Sequence, residues 1–150
     1  MARFEAEIPL GMMKEIERFA DSGASDMIDE MLDKASERVE ENIRRRARRV
    51  FKNPDKVLKG LVRTKVYFTN KGDPADEAKA IKVGFIGYVP GSPKTKRHPY
   101  GTPIPLIAQA REYGTSNGEA KKPFFRPSFN KREIENIMSE VQEKYLPKGD

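Results

Sequence analysis

Leu61-Val62-Arg63-Thr64-Lys65-Val66-Tyr67-Phe68-Thr69 is the stretch at which the hydrophobic period of the chain switches from helical to extended. Val62, Thr64, Val66 and Phe68 alternate with Arg63 and Lys65, so a two-residue spacing puts apolar side chains on one face and cations on the other. Ile81-Lys82-Val83-Gly84-Phe85-Ile86-Gly87-Tyr88-Val89 repeats the alternation through Ile81, Val83, Phe85 and Val89. Two strands within 61–89 follow. They are joined by the polar segment Asn70 to Ala78, which contains Gly72-Asp73-Pro74 and is longer than a tight hairpin turn. An isolated two-stranded ribbon is barely stable in water, so these strands need helices or another chain to pack against.

Residues 1–53 read as helical. Pro9 suits a first helical position, and Ile8, Met12, Ile16, Phe19 and Ala20 fall at three- and four-residue steps until Asp21-Ser22-Gly23. From Ser25 the stripe resumes through Ile28, Met31, Leu32, Ala35, Val39, Ile43, Ala47 and Val50 and stops at Asn53-Pro54, which predicts a helix of roughly 25 residues, well beyond the average. Asp26, Asp29, Glu30 and Asp33 lie near its start and Arg44, Arg45, Arg46, Arg48, Arg49 and Lys52 near its end, each opposing the nearer pole of the helix dipole.

After the strands, residues 90–105 hold five prolines and read as a Pro/Gly-rich loop, a length that in a compact domain signals disorder or function. Mobility until assembly is the expectation for it. Residues 105–147 read as a helical C-terminal part. Pro105 opens a short helix carrying Leu106, Ala110 and Tyr113, which Gly114 stops, and Pro127 opens a last helix carrying Ile134, Ile137, Met138, Val141 and Tyr145. Between them, Phe124, Phe125 and Phe129 would anchor the last helix on the sheet, with Arg126 reaching carboxylates or carbonyls nearby. The fold class is therefore α+β: long N-terminal helices on a small antiparallel sheet, then a short helix and a C-terminal helix, in one domain over 1–150.

Composition closes off most chemistry. The chain of 150 residues has no Cys and a single His, His98, which leaves no thiol nucleophile, no disulfide and no material for a His-based metal site or triad. His98 sits beside Lys96 and Arg97 as an ordinary loop residue. Gly91-Ser92-Pro93-Lys94-Thr95 lacks the second glycine of a phosphate loop and Pro93 removes an N–H donor, while Gly84-Phe85-Ile86-Gly87 lacks the spacing of a dinucleotide site. No catalytic, cofactor-binding or metal residues are assigned, and no cofactor is expected. With no apolar run long enough to span a bilayer and no leader-like N-terminus, a soluble cytoplasmic chain with no membrane partner is the expectation.

Formal charge is +6, with hydrophobic residues at 37% and charged residues at 35%, a lean core in a basic chain. The excess gathers in the run Arg44 to Lys52. Two readings stand: a helix end balanced by its dipole and by acidic groups of a neighbouring subunit, or a DNA-facing surface of a basic nucleic-acid-binding module. No aromatic interleaving or base-reading motif accompanies the run.

The most informative segments are Glu112-Tyr113-Gly114-Thr115 and Pro123-Phe124-Phe125-Arg126-Pro127-Ser128-Phe129. A Glu-aromatic-Gly-Thr turn, a short variable loop and a Pro-Phe-x-Arg-Pro segment before a C-terminal helix resemble the tail-completion, or head–tail joining, family of tailed double-stranded DNA phages and prophages. The order of parts is similar from about residue 25 to the end. Where that family often has Thr-Gly-x-Leu before its first strand, this chain has Lys56-Val57-Leu58-Lys59-Gly60-Leu61. The resemblance implies a structural protein of the virion neck or tail, without catalysis, present in the host cytoplasm before assembly. Its implied partners are other copies of itself in a ring and other neck and tail proteins, with non-specific DNA contact as a further expectation. Tyr113, Phe124, Phe125 and Arg126, together with Lys94, Lys96, Arg97 and Tyr100 of the loop, are the expected assembly contacts.

Overall fold

The computed structural model describes residues 4–7, 24–69 and 77–145. Along the chain run β1 (Phe4–Glu7), α1 (Ala24–Val50), α2 (Pro54–Leu58), β2 (Leu61–Thr69), β3 (Glu77–Phe85), α3 (Ile104–Tyr113), a 3-10 turn (Arg126–Ser128) and α4 (Lys131–Tyr145). The architecture is α+β with helices dominant. No described helix is long and apolar enough to cross a membrane.

Twenty-seven residues make α1 about 40 Å long, and its side chains explain why it holds the rest. Met27, Ile28, Met31, Leu32, Ala35, Val39, Ile43 and Ala47 are all buried, a stripe that recurs every three or four residues along the whole helix. Against one side of it lies the antiparallel sheet, in the order β1-β3-β2. Against the other runs α4, antiparallel to α1, burying Ile134, Met138 and Val141. Phe85 at the end of β3 carries the core to the C-terminal part, since its ring lies 5.9 Å from that of Phe124 and 5.8 Å from that of Phe125.

The sheet corrects the sequence reading in three places. Residues 1–53 are not wholly helical, because Phe4–Glu7 pairs with β3 as a third strand. That run is too short to announce itself, and the open edge of β3 supplies the backbone partners that make it a strand. The second strand spans Glu77–Phe85 instead of Ile81 to Val89; Gly87 adopts a positive φ of 88°, and Tyr88 keeps only a bridge to Pro103.

Most informative is which face of β2 meets α1. Pairing of Leu61 with Phe85, Arg63 with Val83 and Lys65 with Ile81 puts the two cations on the helix-facing side, in line with the buried Phe85, Val83 and Ile81 of β3. Arg63 reaches α1 through its Nη1, which donates to Ser36 Oγ at 2.8 Å and to the Asp33 carbonyl at 3.3 Å, while its Nε sits 2.9 Å from Glu40 Oε2. Lys65 adds an ion pair to Asp33 at 3.6 Å. The helix-facing contacts of Arg63 and Lys65 are thus polar, while Ile81, Val83 and Phe85 of β3 contribute apolar ones.

The helix expected over Pro9–Ala20 lies outside the described residues. The last helix starts at Lys131, not at Pro127, which belongs to the 3-10 turn. Asn130 provides the reason: its Oδ1 accepts from the Glu133 N–H at 3.1 Å, so the helix is capped four residues later than the proline alone suggests. Gly60, at the bend into β2, admits no side chain. A Cβ there would stand 2.3 Å from the Ile86 carbonyl oxygen, and that close approach lets the Ile86 N–H donate to the Gly60 carbonyl at 2.8 Å.

At the far end of α1, Glu30 gathers the end of α4. Lys144 Nζ lies 2.9 Å and Lys34 Nζ 3.2 Å from its Oε1. Hydrogen bonds from Tyr145, then Lys144 and Lys34, lower the Glu30 pKa to about 2 from an ordinary 4.5, and Glu30 in turn raises the pKa of Lys144 and of Tyr145. A carboxylate whose folded pKa is depressed contributes stability that is complete above its unfolded pKa and fades as pH falls toward the folded one. The melting temperature of the wild type should therefore exceed that of Glu30→Gln near neutral pH, and the gap should close between about pH 4.5 and pH 2. A gap that does not change with pH would contradict this assignment.

Candidate functional site

In α3, Ile104, Ala108 and Glu112 are buried at four-residue steps, so the same stripe that seats the helix delivers a carboxylate into the interior at its last turn. Gly114 then ends the helix with φ 81°, and a Cβ there would stand 2.9 Å from the Glu119 carbonyl oxygen. Thr115 closes the following turn: its N–H donates to the Glu119 carbonyl at 3.2 Å and its carbonyl accepts from Gly118 at 3.2 Å. The chain doubles back, and the Lys122 N–H donates to the Arg111 carbonyl at 2.7 Å.

This return places three successive backbone donors around Glu112. Its Oε2 accepts from the N–H of Phe124 at 2.9 Å and of Phe125 at 2.8 Å, and its Oε1 accepts from the N–H of Arg126 at 3.0 Å. Consecutive N–H groups converging on an anion form a concave nest, here filled by a side chain of the same molecule. The carboxylate is 2% exposed, so its charge rests on these donors. They also include the orphan donors at the start of the 3-10 turn, so each side supplies what the other lacks.

The lock continues into α1. Ser128 Oγ donates to the Phe124 carbonyl at 2.6 Å, and the Ser128 carbonyl accepts from Asn42 Nδ2 at 3.2 Å. Asn42 Nδ2 also donates to Glu133 Oε1 at 2.9 Å, and Asn42 Oδ1 accepts from Arg45 Nη2 at 3.0 Å. Buried Asn42 and Ser128 thus connect α1, the turn and α4, while Glu112 connects the turn to α3.

The expected assembly residues divide. Phe124 and Phe125 are 0% and 1% exposed, which corrects their assignment as partner contacts; they pack with Phe85, Phe51 and Phe129 and act inside the subunit. Tyr113 is 54% exposed, with the Arg126 guanidinium over its ring at 5.4 Å, so this pair does present a surface. Arg126 contributes its backbone N–H to the Glu112 lock and its side chain to that stack.

The Pro/Gly-rich loop is also corrected: it is closed by its own hydrogen bonds instead of hanging free. The Val89 N–H donates to Thr102 at 2.9 Å, the Thr102 N–H to Ser92 Oγ at 2.9 Å, and the Thr95 and Gly101 N–H groups to the His98 carbonyl at 3.0 and 3.1 Å. Lys94, Lys96, Arg97 and Tyr100 are all exposed on it, with the Tyr100 and Tyr88 rings 5.7 Å apart. The loop joins the start of α3, where the Ile104 N–H donates to Gly87 at 2.9 Å, whereas the Glu112 lock sits at the other end of that helix. The structure therefore separates the two groups of candidate contacts.

The cationic end of α1 divides as well. Arg44 pairs with Glu40 at 3.0 Å, Arg45 donates to Asn42, and half-buried Arg46 has an Nε with no hydrogen-bond partner. Arg48, Arg49 and Lys52 are exposed. Among the described residues no group of three His, Cys, Asp or Glu side chains is placed to hold a metal ion. Comparison with protein-family models, with curated proteins and with solved structures gives no significant match.

Glu112 and Ser128 lie in the two segments singled out from the sequence but, like Asn42, were not assigned there as site residues. Glu112 carried a signal, since a carboxylate in a last helical turn faces the negative pole of the dipole and is disfavoured unless something there binds it. Asn42 carried another, as a polar side chain on the apolar stripe of α1. Glu112→Ala leaves the buried donors of Phe124 and Phe125 and the part-buried donor of Arg126 unpaired, and each unpaired buried donor costs about 1–3 kcal/mol, so a loss on the order of 4 kcal/mol is expected in urea unfolding. Glu112→Gln turns an amide N–H toward one of those donors and should lose about 2 kcal/mol or more. Unfolding midpoints unchanged by Glu112→Gln would remove the lock from the structure's essentials.

Proposed function

We propose that this chain is a structural subunit of a tailed-phage virion, a tail-completion or head–tail joining protein that assembles into a ring through protein–protein contacts. The observation that carries the reading is the Glu112 lock. The two segments on which the resemblance rests, Glu112 to Thr115 and Pro123 to Phe129, are the two sides of one hydrogen-bonded device: the glutamate binds the turn, the glycine supplies the positive φ, and the threonine closes the return. A sequence pattern whose separate positions meet in one interaction is more specific than the same residues scattered over a fold. In this reading the role is structural and involves no enzymatic step.

The reading assigns the subunit to the neck or tail of the virion, after synthesis in the host cytoplasm. Its partners are further copies of this chain and the neighbouring neck and tail proteins. Tyr113 and Arg126 at one end of α3, and Lys94, Lys96, Arg97 and Tyr100 at the other, offer two exposed polar–aromatic surfaces to different neighbours. A ring subunit needs two such surfaces, and the rigid core between them fixes their spacing.

Electron microscopy of particles assembled without this chain tests the reading. Filled or empty capsids with separate tails are expected; joined, infectious particles would overturn it.

A further inference from the structure

We propose that one end of the fold binds the phosphate backbone of duplex DNA without reading bases, through Arg48, Arg49, Lys52, Lys121, Lys122 and Arg126. In sequence these residues fall in two groups about 70 positions apart, and the core brings them together. Phe51, beside Lys52, stacks edge-on against Phe124 at 5.0 Å. The Arg111 guanidinium lies over the Phe51 ring at 5.4 Å, and the Arg111 carbonyl accepts from the Lys122 N–H. The last turn of α1 and the segment 121–126 therefore share one end of the molecule, and all six cations on it are exposed.

Local carboxylates do not neutralise that end. Of the acidic residues in 48–55 and 111–126, Glu112 is buried and committed to three backbone donors, which leaves Asp55 and Glu119 against six exposed cations. The acidic half of α1 is in the opposite condition. Glu30 holds Lys34 and Lys144, Asp33 holds Lys65, and Glu40 holds Arg44 and Arg63. What α1 of a second copy leaves exposed is the scattered carboxylates of Asp26, Glu37 and Glu41, set among Lys34 and Arg38, whereas a polyanion presents a continuous row of charge, so the complement that fits is an external polyanion.

A duplex presents one charge per roughly 1.7 Å of axis, and neutralising its phosphates releases counterions, so such a surface gives affinity that falls steeply with salt. Exposed Tyr113 borders this surface with the Arg126 guanidinium over its ring, so the surface offers mainly point charges instead of a row of ring faces, which favours a stacked duplex over splayed single strands. The choice of DNA as the polyanion rests on the connector reading; the cation surface itself does not.

The test is fluorescence anisotropy of a labelled 24-base-pair DNA duplex with the purified full chain, titrated at several salt concentrations between 50 and 200 mM. Wild type should bind in the micromolar range at 50 mM salt, equally well to unrelated sequences, with a logarithmic salt slope near −5 for six contacts. Arg48→Ala/Arg49→Ala/Lys52→Ala and, on the other element, Lys121→Ala/Lys122→Ala/Arg126→Ala should each weaken binding at least tenfold and reduce the slope by about 3. Lys34→Ala/Arg38→Ala/Lys65→Ala removes the same three charges from the other half of the molecule and should change affinity less than about twofold. Circular dichroism confirms that each variant is folded. Absence of salt-dependent binding by the wild type, or equal weakening by all three variants, would overturn the proposal. Neither result depends on whether particles join without the chain, so the two readings fail separately.

Discussion

Three backbone N–H groups of the 124–126 segment meet the two oxygens of Glu112, and most of the C-terminal half is arranged around that meeting. The carboxylate is enclosed, so it requires its donors. The donors open a short 3-10 turn where no helical carbonyl can reach them, so they require the carboxylate. With this contact made, Phe124 and Phe125 are fixed with their rings near Phe85 and Phe51, and the sheet, the end of α1 and, through Ile104 and Ala108, α3 share one core. Ser128 and Asn42 extend the constraint to the start of α4. The lean hydrophobic content is thereby offset by a polar network whose buried members support one another, an arrangement that specifies a single packing more sharply than apolar burial alone.

Charge is distributed on a different logic. Along α1 the acidic half is folded into ion pairs within the subunit: Glu30 with α4, Asp33 and Glu40 with β2. These pairs are partly solvated and contribute modestly to stability, but they consume negative charge. The basic half spends Arg44 and Arg45 internally and leaves Arg48, Arg49 and Lys52 exposed beside Lys121, Lys122 and Arg126. Six exposed cations thus gather at one end of the molecule, apart from those of the 90–105 loop, and the rigid lock holds two elements of that surface in register.

Elements governed by local periodicity were legible in the sequence. The stripe from Ile28 to Ala47 specified α1, the Gly114 stop was correctly placed, and the phenylalanines of 124–129 do anchor the C-terminal part on the sheet. What escaped reading depends on partners distant in sequence. β1 exists because β3 has an open edge, and the helix-facing side of β2 carries Arg63 and Lys65 because Glu40, Ser36 and Asp33 wait for them on α1. The loop between Gly87 and Ile104 looked mobile from its prolines, yet Ser92 and His98 close it with hydrogen bonds that composition does not encode. Phe124 and Phe125 were visible as important residues, and burial decides that their importance is internal.

Hydrogen exchange followed by NMR at the amides of Phe124, Phe125 and Arg126 tests most directly whether Glu112 organises the C-terminal half. If the carboxylate holds these donors in the native state, all three exchange as slowly as amides in the middle of α1, opening only with the whole fold. Exchange as fast as that of the exposed turn at Ser116 and Asn117 would contradict it.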